Sequence, residues 1–365
     1  MTMWLALQII FGFILLVGGG ESLVRGAARI AAAFKISPLV IGLTVVAFGT
    51  SAPELGVSLQ AAFAGKPDVA IGNVVGSNIT NVLLVLGMSA LVAPLIVSSQ
   101  LIRLDVPLMI AASLCVWGMG ADGNISRVEG AVLFGILVIY IAFSIWKSRS
   151  ENKAVVEEFA AEYGAPGQSS LSTDIVLILA GLALLTLGAG WLVDGAVAIA
   201  ASLGVSELVI GLTVIAVGTS LPEVVTSVVA SYRGERDIAV GNVVGSNLFN
   251  LLCVLGLTSA VSSTGVSVTD EAIAFDIPVM VAVAVICLPI FWLEGVIRRH
   301  EGAMFLSYYL AYTAFLVLSA TLPAWGDSFG NAMEFVVIPA TLLTLGLSFY
   351  HARRKRKPAQ QTEQS

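Results

Sequence analysis

Charged residues are scarce in this chain. They make up 12% of its 365 residues, about half of the share found in a soluble domain, whereas hydrophobic residues make up 57%. Apolar runs of roughly 18 residues or more recur from end to end, and a run of that length crosses a bilayer as a helix. The composition therefore excludes a soluble globular protein and predicts an all-α polytopic membrane protein.

Cysteine and histidine are also rare, with three and two copies in the chain. Cys115, Cys253 and Cys287 all fall inside apolar runs, where a cysteine usually acts as a small buried hydrophobe. A disulfide framework is therefore not indicated. No nucleophile–base set and no cofactor motif is present either, so we expect neither an enzyme nor a bound cofactor.

Eleven segments have the length and composition of transmembrane helices. If the N-terminus lies outside, sixteen of the 18 lysines and arginines fall inside, and Lys66 and Arg127 fall outside. Because basic residues accumulate in cytoplasmic loops, we expect an external N-terminus and a cytoplasmic C-terminus. The predicted spans are residues 3–24, 38–63, 69–94, 104–120, 128–146, 172–195, 207–231, 238–261, 273–295, 302–321 and 333–350.

A linker and a C-terminal region complete the predicted organisation. Residues 147–171 are predicted to form a cytoplasmic linker, which is too short for a folded regulatory domain. Residues 322–365 are expected to hold an extra transmembrane helix and a basic cytoplasmic tail. The run "RRKRK" at 353–357 is typical of a stop signal beside a membrane helix rather than of a nucleic-acid patch. We therefore expect contact with the lipid bilayer and no nucleic-acid partner.

The chain contains an internal repeat. Residues 41–87 align without gaps with residues 210–256, and 28 of 47 positions are identical. Flanking pairs such as "DVPLM" and "DIPVM" extend the match to five helices in each copy, so the copies are predicted to occupy residues 1–146 and 172–321. Because five is odd, the second copy must enter the membrane from the opposite side. Inverted repeats of this kind are typical of secondary transporters.

Each copy carries one glutamate, Glu54 or Glu223, inside an apolar helix with the motif "GTS-x-PE". A charge at the bilayer centre costs roughly 2.5–3.5 kcal/mol, and neither helix contains a Lys, Arg or His that could pair with it. Because Pro53 and Pro222 cannot donate a backbone hydrogen bond, the helices should break there and turn carbonyl groups toward a ligand. Such oxygen ligands favour Ca²⁺ and Na⁺ over soft metals, and a protonated, hydrogen-bonded glutamate is the alternative.

A polar stripe on the following helix repeats in both copies, as Asn73, Ser77 and Asn81 and as Asn242, Ser246 and Asn250. The last two members of each stripe favour ion coordination, whereas Asn73 and Asn242 favour hydrogen bonds between helices. Asp105 and Asp276 each precede a proline by two residues at a predicted helix start. That position favours helix capping over ion binding.

The doubled "GTS-x-PE" and "GN-x-x-GSN-x-x-N" motifs resemble those of the sodium/calcium exchangers of the cation/calcium antiporter superfamily, particularly its short prokaryotic members. The resemblance covers roughly residues 1–321. It implies an antiporter of the prokaryotic inner membrane that transports Ca²⁺ and Na⁺ as substrates, with Na⁺ also held by the backbone carbonyls of Ala47 and Ala216. The side chains to which it assigns ion contacts are Glu54, Glu223, Thr50, Thr219, Ser51, Ser220, Ser77, Ser246, Asn81 and Asn250.

Three questions stay open at the level of sequence. Some relatives carry Asp where this chain has Asn81 or Asn250, so the site is left with two carboxylates and the Na⁺ stoichiometry is not determined. The comparison also implies exchange that does not require K⁺. A proton/calcium exchanger is an alternative, although such proteins usually show a different glutamate motif in each copy, and a cation channel is a second one.

Overall fold

The computed structural model describes residues 2–34, 36–151, 170–210, 213–214 and 216–322, together with positions 325, 326, 330, 335, 339, 341, 343 and 346. Helices dominate this part of the chain. In the first copy they are α1 Thr2–Phe34, α2 Pro38–Ile41, α3 Ala47–Thr50, α4 Ala52–Phe63, α5 Pro67–Thr80, α6 Gly87–Val92, α7 Val106–Met119 and α8 Arg127–Glu151. In the second copy they are α9 Leu171–Ser202, α10 Glu207–Ile210, α11 Ala216–Thr219, α12 Leu221–Tyr232, α13 Arg236–Phe249, α14 Gly256–Val261, α15 Ile277–Glu294 and α16 Arg299–Thr321.

Several of these helices are joined by wider π-helical turns that continue the same rod. The first such turn connects α2 to α3, and the others connect α5 to α6, precede α7, connect α13 to α14, and precede α15. One short 3₁₀ turn, Gly120–Asp122, follows α7. No sequence pattern predicted these π turns, which lie at Gly42–Val46, Asn81–Leu86, Leu101–Asp105, Asn250–Leu255 and Ala272–Asp276.

Eight helices of the described chain are long and apolar enough to cross a membrane, and the bent pair Pro38–Thr50 and Ala52–Phe63 forms a ninth candidate span. The prediction of a polytopic helical membrane protein is confirmed. The seventh predicted span is described in three pieces, α10, α11 and α12. The eleventh, at 333–350, and the tail at 351–365 lie almost wholly outside the described residues, as does most of the predicted linker.

Two predicted spans were too short. The prediction ended the first at residue 24 and the sixth at residue 195, whereas α1 continues to Phe34 and α9 to Ser202. Both extensions are rich in alanine, as in "AARIAAAF" and "AVAIAAS", and alanine has the highest intrinsic helix propensity. Both helices therefore continue past the apolar segments from which their ends were predicted.

α1 and α9 pack against each other through glycines. A Cβ atom on Gly19 would lie 2.8 Å from the carbonyl oxygen of Gly181, and one on Gly12 would lie 3.0 Å from that of Gly188. Small residues at such a seam let two membrane helices approach closely, so that backbone packing holds them together. This seam joins the first helix of one copy to the first helix of the other.

Contacts between the copies are reciprocal. Strand β1 (Leu95–Ile96) pairs antiparallel with β4 (Val296–Ile297), and β2 (Asn124–Ile125) pairs with β3 (Val266–Ser267). β1 and β3 are equivalent in the repeat, as are β2 and β4, so each copy exchanges the same contact with the other. Such an exchange is expected of two related copies that pack around a pseudo-two-fold axis. The orientation of the copies relative to the bilayer stays a prediction.

Burial places α5 and α13 in the interior. Every residue in the most apolar window of Arg236–Val261 is buried, against 11% of that window in Arg299–Thr321. α5 and α13 carry the "GN-x-x-GSN-x-x-N" motifs, so the amides and hydroxyls of these motifs lie inside the protein rather than against lipid. Cys253 and Cys287 are buried free thiols as predicted, whereas Cys115, also a free thiol, is exposed.

Candidate functional site

Each glutamate-bearing helix is preceded by a break two residues before its proline. Between α3 and α4, Ser51 leaves helical geometry with φ −83° and ψ 4°, and the two segments meet at an angle of 44°. Ser220 adopts nearly the same conformation between α11 and α12, with φ −89° and ψ 5°. Pro53 and Pro222 then occupy the first turn of the new helix, where a missing N–H costs no hydrogen bond. The predicted breaks are confirmed.

The two carboxylates lie in the first turns of α4 and α12, deep inside the protein. Glu54 and Glu223 are each 1% exposed. Both carboxylate oxygens of Glu54 and Oε2 of Glu223 have no hydrogen-bond partner, while Ser51 Oγ donates to Glu223 Oε1 at 3.4 Å. Buried carboxylates in this arrangement must either be protonated or be compensated by a positive charge.

Hydroxyl groups from both copies meet beside these carboxylates. Thr50 Oγ1 lies 3.4 Å from Ser246 Oγ, and the two residues come from opposite copies. Ser77 and Ser220 are buried as well, and the Ser220 hydroxyl has no partner. Thr219 is half-buried. The structure therefore brings hydroxyls of the two repeats together, as sequence equivalence alone had implied.

Asn81 and Asn250 carry buried side-chain amides that make no hydrogen bond through either the oxygen or the nitrogen. Leaving a buried polar group unpaired costs about 1–3 kcal/mol, and these four atoms at equivalent positions are available to a ligand. Each residue is also the first of a π-helical turn, Asn81–Leu86 or Asn250–Leu255. Isolated π turns are frequent at functional sites, and no feature of the sequence signalled them here.

A serine N–H donates to a backbone carbonyl at each break. The Ala47 carbonyl accepts the Ser51 N–H at 3.0 Å and lies 3.4 Å from Thr50 Oγ1. In the second copy the Ser220 N–H donates to the Val217 carbonyl at 3.1 Å, and Ala216 is the first residue of α11.

The interpretation of Asp105 and Asp276 as helix caps was wrong. Each stands at the N-cap position of its helix, but neither side chain bonds to a cap N–H. Tyr140 instead donates to Asp105 Oδ1 at 3.0 Å, and Tyr312 donates to Asp276 Oδ1 at 3.2 Å. These bonds tie α7 to α8 and α15 to α16. The preceding π turns shape these helix starts, so the local sequence around each proline did not reveal the tyrosine partners.

Asn73 and Asn242 make the hydrogen bonds between helices that the sequence analysis favoured. Asn73 Nδ2 donates to Ser58 Oγ at 3.0 Å and to the Glu54 carbonyl at 3.1 Å. Asn242 Nδ2 donates to Ser227 Oγ at 2.9 Å. Both amides therefore hold a central helix against the helix that carries a glutamate. Ser58, one turn after Glu54, accepts from Asn73, and Ser227, one turn after Glu223, accepts from Asn242.

The chemistry of this site suits hard cations. Among the described residues there is no group of three or more His, Cys, Asp or Glu side chains that could hold a metal ion. The available ligands are two carboxylates with neutral hydroxyl, amide and carbonyl oxygens. Such a set matches Ca²⁺ and Na⁺, whereas transition metals prefer imidazole and thiolate ligands.

Comparisons with known proteins agree with this geometry. The family described as "Sodium/calcium exchanger protein" matches residues 4–146 and 173–318. The chain is 31% identical to the sodium/calcium exchanger MaX1 of Methanosarcina acetivorans over 85% of its length and 97% of the relative's. It is 37% identical to the inner membrane protein YrbG of Escherichia coli, over 78% of this chain and 87% of that protein.

A solved structure of the sodium–calcium exchanger NCX_Mj superposes on this chain with a TM-score of 0.74. The two sequences are 32% identical, and the match covers 87% of this chain and all of the other. The family match spans most of the chain, and the structural match extends across both copies. The chain is therefore an integral membrane antiporter for Ca²⁺ and a second cation, not an enzyme, and belongs to the sodium/calcium exchanger family.

Proposed function

We propose that this antiporter exchanges Ca²⁺ for Na⁺ by alternating access, with both ions bound in turn between Glu54 and Glu223. The observation that carries the proposal is the pair of buried carboxylates, three of whose four oxygens have no hydrogen-bond partner. The negative charge of the two ionised carboxylates is balanced by one Ca²⁺ or by two Na⁺. Either cargo therefore neutralises the same site, which is the simplest basis for competition and exchange.

The neutral ligands are assigned around these carboxylates. Thr50, Ser51 and Ser77 contribute from the first copy, and Thr219, Ser220 and Ser246 from the second. The buried amides of Asn81 and Asn250 complete the coordination through their oxygens, and the carbonyls of Ala47 and Ala216 hold Na⁺. Because every type of ligand comes from both copies, movement of one copy against the other changes the access to the ions. No bound cofactor is needed, since the ions are substrates.

The test is Ca²⁺ flux in liposomes that contain the purified protein. Vesicles loaded with Na⁺ and diluted into choline medium should take up Ca²⁺ against its gradient, and dissipation of the Na⁺ gradient should stop the uptake. An imposed pH gradient in the absence of Na⁺ should drive no uptake. Uptake driven by the pH gradient alone would replace Na⁺ with H⁺ as the coupling ion. Ca²⁺ movement in the downhill direction alone would indicate a channel.

The proposal extends to the membrane and its orientation. One relative is named as an inner membrane protein, and the basic residues of this chain lie mostly on one predicted side. We place the chain in the prokaryotic plasma membrane with the N-terminus outside and the C-terminus in the cytoplasm.

A further inference from the structure

One side-chain amide connects a hydroxyl of the first copy to a hydroxyl of the second. Thr50 Oγ1 donates to Asn242 Oδ1 at 3.2 Å, and Asn242 Nδ2 donates to Ser227 Oγ at 2.9 Å. All three side chains are at most 1% exposed. We propose that Asn242 is a positioning residue that holds the Thr50 hydroxyl in the orientation required to bind the cation. This inference rests on the function proposed above, because Thr50 is one of its assigned ligands.

The Asn242 amide has its nitrogen toward Ser227 and its oxygen toward Thr50. An asparagine side chain presents one acceptor oxygen and one donor nitrogen. In this orientation the oxygen accepts the Thr50 hydrogen while the nitrogen donates to Ser227. A reversed amide would direct an N–H toward the Thr50 oxygen and occupy a lone pair that a cation needs. Ser227 therefore acts on the ion site through two successive hydrogen bonds.

The direction of the Thr50 hydrogen matters because a hydroxyl binds a cation through its lone pairs. A threonine hydroxyl has one hydrogen and two lone pairs. When the hydrogen points to Asn242 Oδ1, the lone pairs stay available for the ion. Asn242 Oδ1 is nearer to Thr50 Oγ1 than the Ala47 carbonyl or Ser246 Oγ, both of which lie at 3.4 Å.

Loss of the Asn242 oxygen would redirect this hydrogen. The partners that remain within reach of Thr50 Oγ1 are the Ala47 carbonyl and Ser246 Oγ, both at 3.4 Å. Without Asn242, a hydrogen turned to the Ala47 carbonyl would compete with Na⁺ for that oxygen and change the direction of the Thr50 lone pairs. The amide therefore protects both a hydroxyl ligand and a carbonyl ligand from internal hydrogen bonding.

Asn73 is the matched control within the same protein. It occupies the equivalent motif position in the first copy, and its Nδ2 donates to Ser58 Oγ and to the Glu54 carbonyl. It makes no bond to Thr50. Removal of the Asn73 amide perturbs the same kind of helix contact without affecting the Thr50 hydroxyl.

A double-mutant cycle separates positioning from packing. Ca²⁺ affinity is measured by titration calorimetry on purified full-length protein in Na⁺-free choline buffer, for Asn242→Ala, Thr50→Val and the double variant. We expect each single change to weaken Ca²⁺ binding about tenfold, and the double variant to bind as weakly as Thr50→Val alone, since coupled residues are not additive. In the parallel cycle of Asn73→Ala with Thr50→Val, the double variant should lose Ca²⁺ affinity by the product of the two single fold-losses.

Multiplying factors in the Asn242 cycle, or an unchanged affinity in Asn242→Ala, would overturn the inference. If Asn242→Ala does not fold, Ser227→Ala completes the same cycle, because it releases the amide without touching Thr50. Its effect on Ca²⁺ affinity should disappear in the Thr50→Val background. Competition by Na⁺ against Ca²⁺ in the wild-type protein is measured first. Absence of that competition refutes the proposed function, whereas competition together with multiplying factors refutes the role of Asn242.

Discussion

Glu54 and Glu223 occupy equivalent positions, but their surroundings differ at the level of single atoms. Ser51 of the first copy donates to Glu223 Oε1, whereas neither oxygen of Glu54 has a partner. Glu54 therefore depends more than Glu223 on a bound counter-ion, because Glu223 is partly satisfied by a hydrogen bond within the protein. In the function proposed above, both carboxylates supply the negative charge on which binding of a divalent ion depends.

Replacement of either carboxylate by an amide should abolish Ca²⁺ uptake. Glu54→Gln and Glu223→Gln keep the size of the side chain and remove its charge, so the folded protein should be recovered in normal yield. Uptake into Na⁺-loaded liposomes measures transport, and size-exclusion chromatography reports folding. Glu271→Gln, at an exposed position, is the control and should transport normally. Normal flux in either well-folded site variant would remove that residue from the site.

Asn250 should make exchange independent of K⁺. With an amide at this position the site holds at most two negative charges, which one Ca²⁺ neutralises, so a second bound cation would leave an uncompensated charge in a poorly solvated place. Ca²⁺ uptake into Na⁺-loaded vesicles should be equal in choline and in K⁺ medium, with valinomycin clamping the potential. Asn250→Asp adds a third carboxylate, and K⁺ stimulation should appear in that variant. A requirement for K⁺ in the wild-type protein would contradict this prediction.

At the scale of elements, the helices divide into two kinds. α4 and α12 each follow a break and carry a glutamate carboxylate in the first turn. α5 and α13 are unbroken helices that pass directly into the π turns at Asn81 and Asn250. The long pair α1 and α9 contributes no assigned ligand. Its close glycine seam instead makes it one packed unit beside the ion site.

The glycine seam gives a prediction with an adjacent control. A Cβ atom on Gly19 would lie 2.8 Å from both the Gly181 carbonyl oxygen and the Leu185 nitrogen, whereas one on Gly18 would have nothing within 4 Å. Gly19→Ala should therefore destabilise the protein by about 1–3 kcal/mol through overpacking. Gly18→Ala should be neutral or slightly stabilising, because alanine favours a helix. Thermal unfolding in detergent measures both, and equal melting temperatures would show that the seam is not close-packed.

At the scale of the whole molecule, the two copies complete each other. Strand pairing and glycine contacts are exchanged reciprocally: Gly87 meets Gly302, and Gly130 meets Gly256. Two related halves of this kind have two equivalent ways to pack against each other. Alternating access requires such a pair of states, with the site at the junction.

The orientation of the chain in the membrane follows from its basic residues. Sixteen lysines and arginines on one predicted side against two on the other should place the N-terminus outside and the C-terminus in the cytoplasm. A fluorescent-protein fusion at the C-terminus should fluoresce, and an alkaline phosphatase fusion at the same place should be inactive. The reverse pattern would contradict this orientation, since eleven spans with an external N-terminus cannot place the C-terminus outside.

The two buried carboxylates were predictable because the motif that contains them is local and occurs twice. Each "GTS-x-PE" motif places a glutamate, Glu54 or Glu223, in an apolar helix without a basic residue nearby, and cation binding by these residues stays a prediction. Pro53 and Pro222 identified the breaks, because a proline lacks the N–H that a continuous helix uses. The 28 identities between residues 41–87 and 210–256 identified the two copies, and five helices in each implied that they are inverted.

Packing between distant segments was needed for the rest. The partners of Asp105 and Asp276 are tyrosines 35 and 36 residues away in the chain, and no local pattern connects them. The bond from Thr50 to Asn242 spans 192 residues, so motif spacing could not reveal that the copies share a hydrogen-bond chain. The π turns at Asn81 and Asn250 likewise depend on how α5 and α13 fit their neighbours. Composition and periodicity act along one segment, whereas these features arise where separate segments meet.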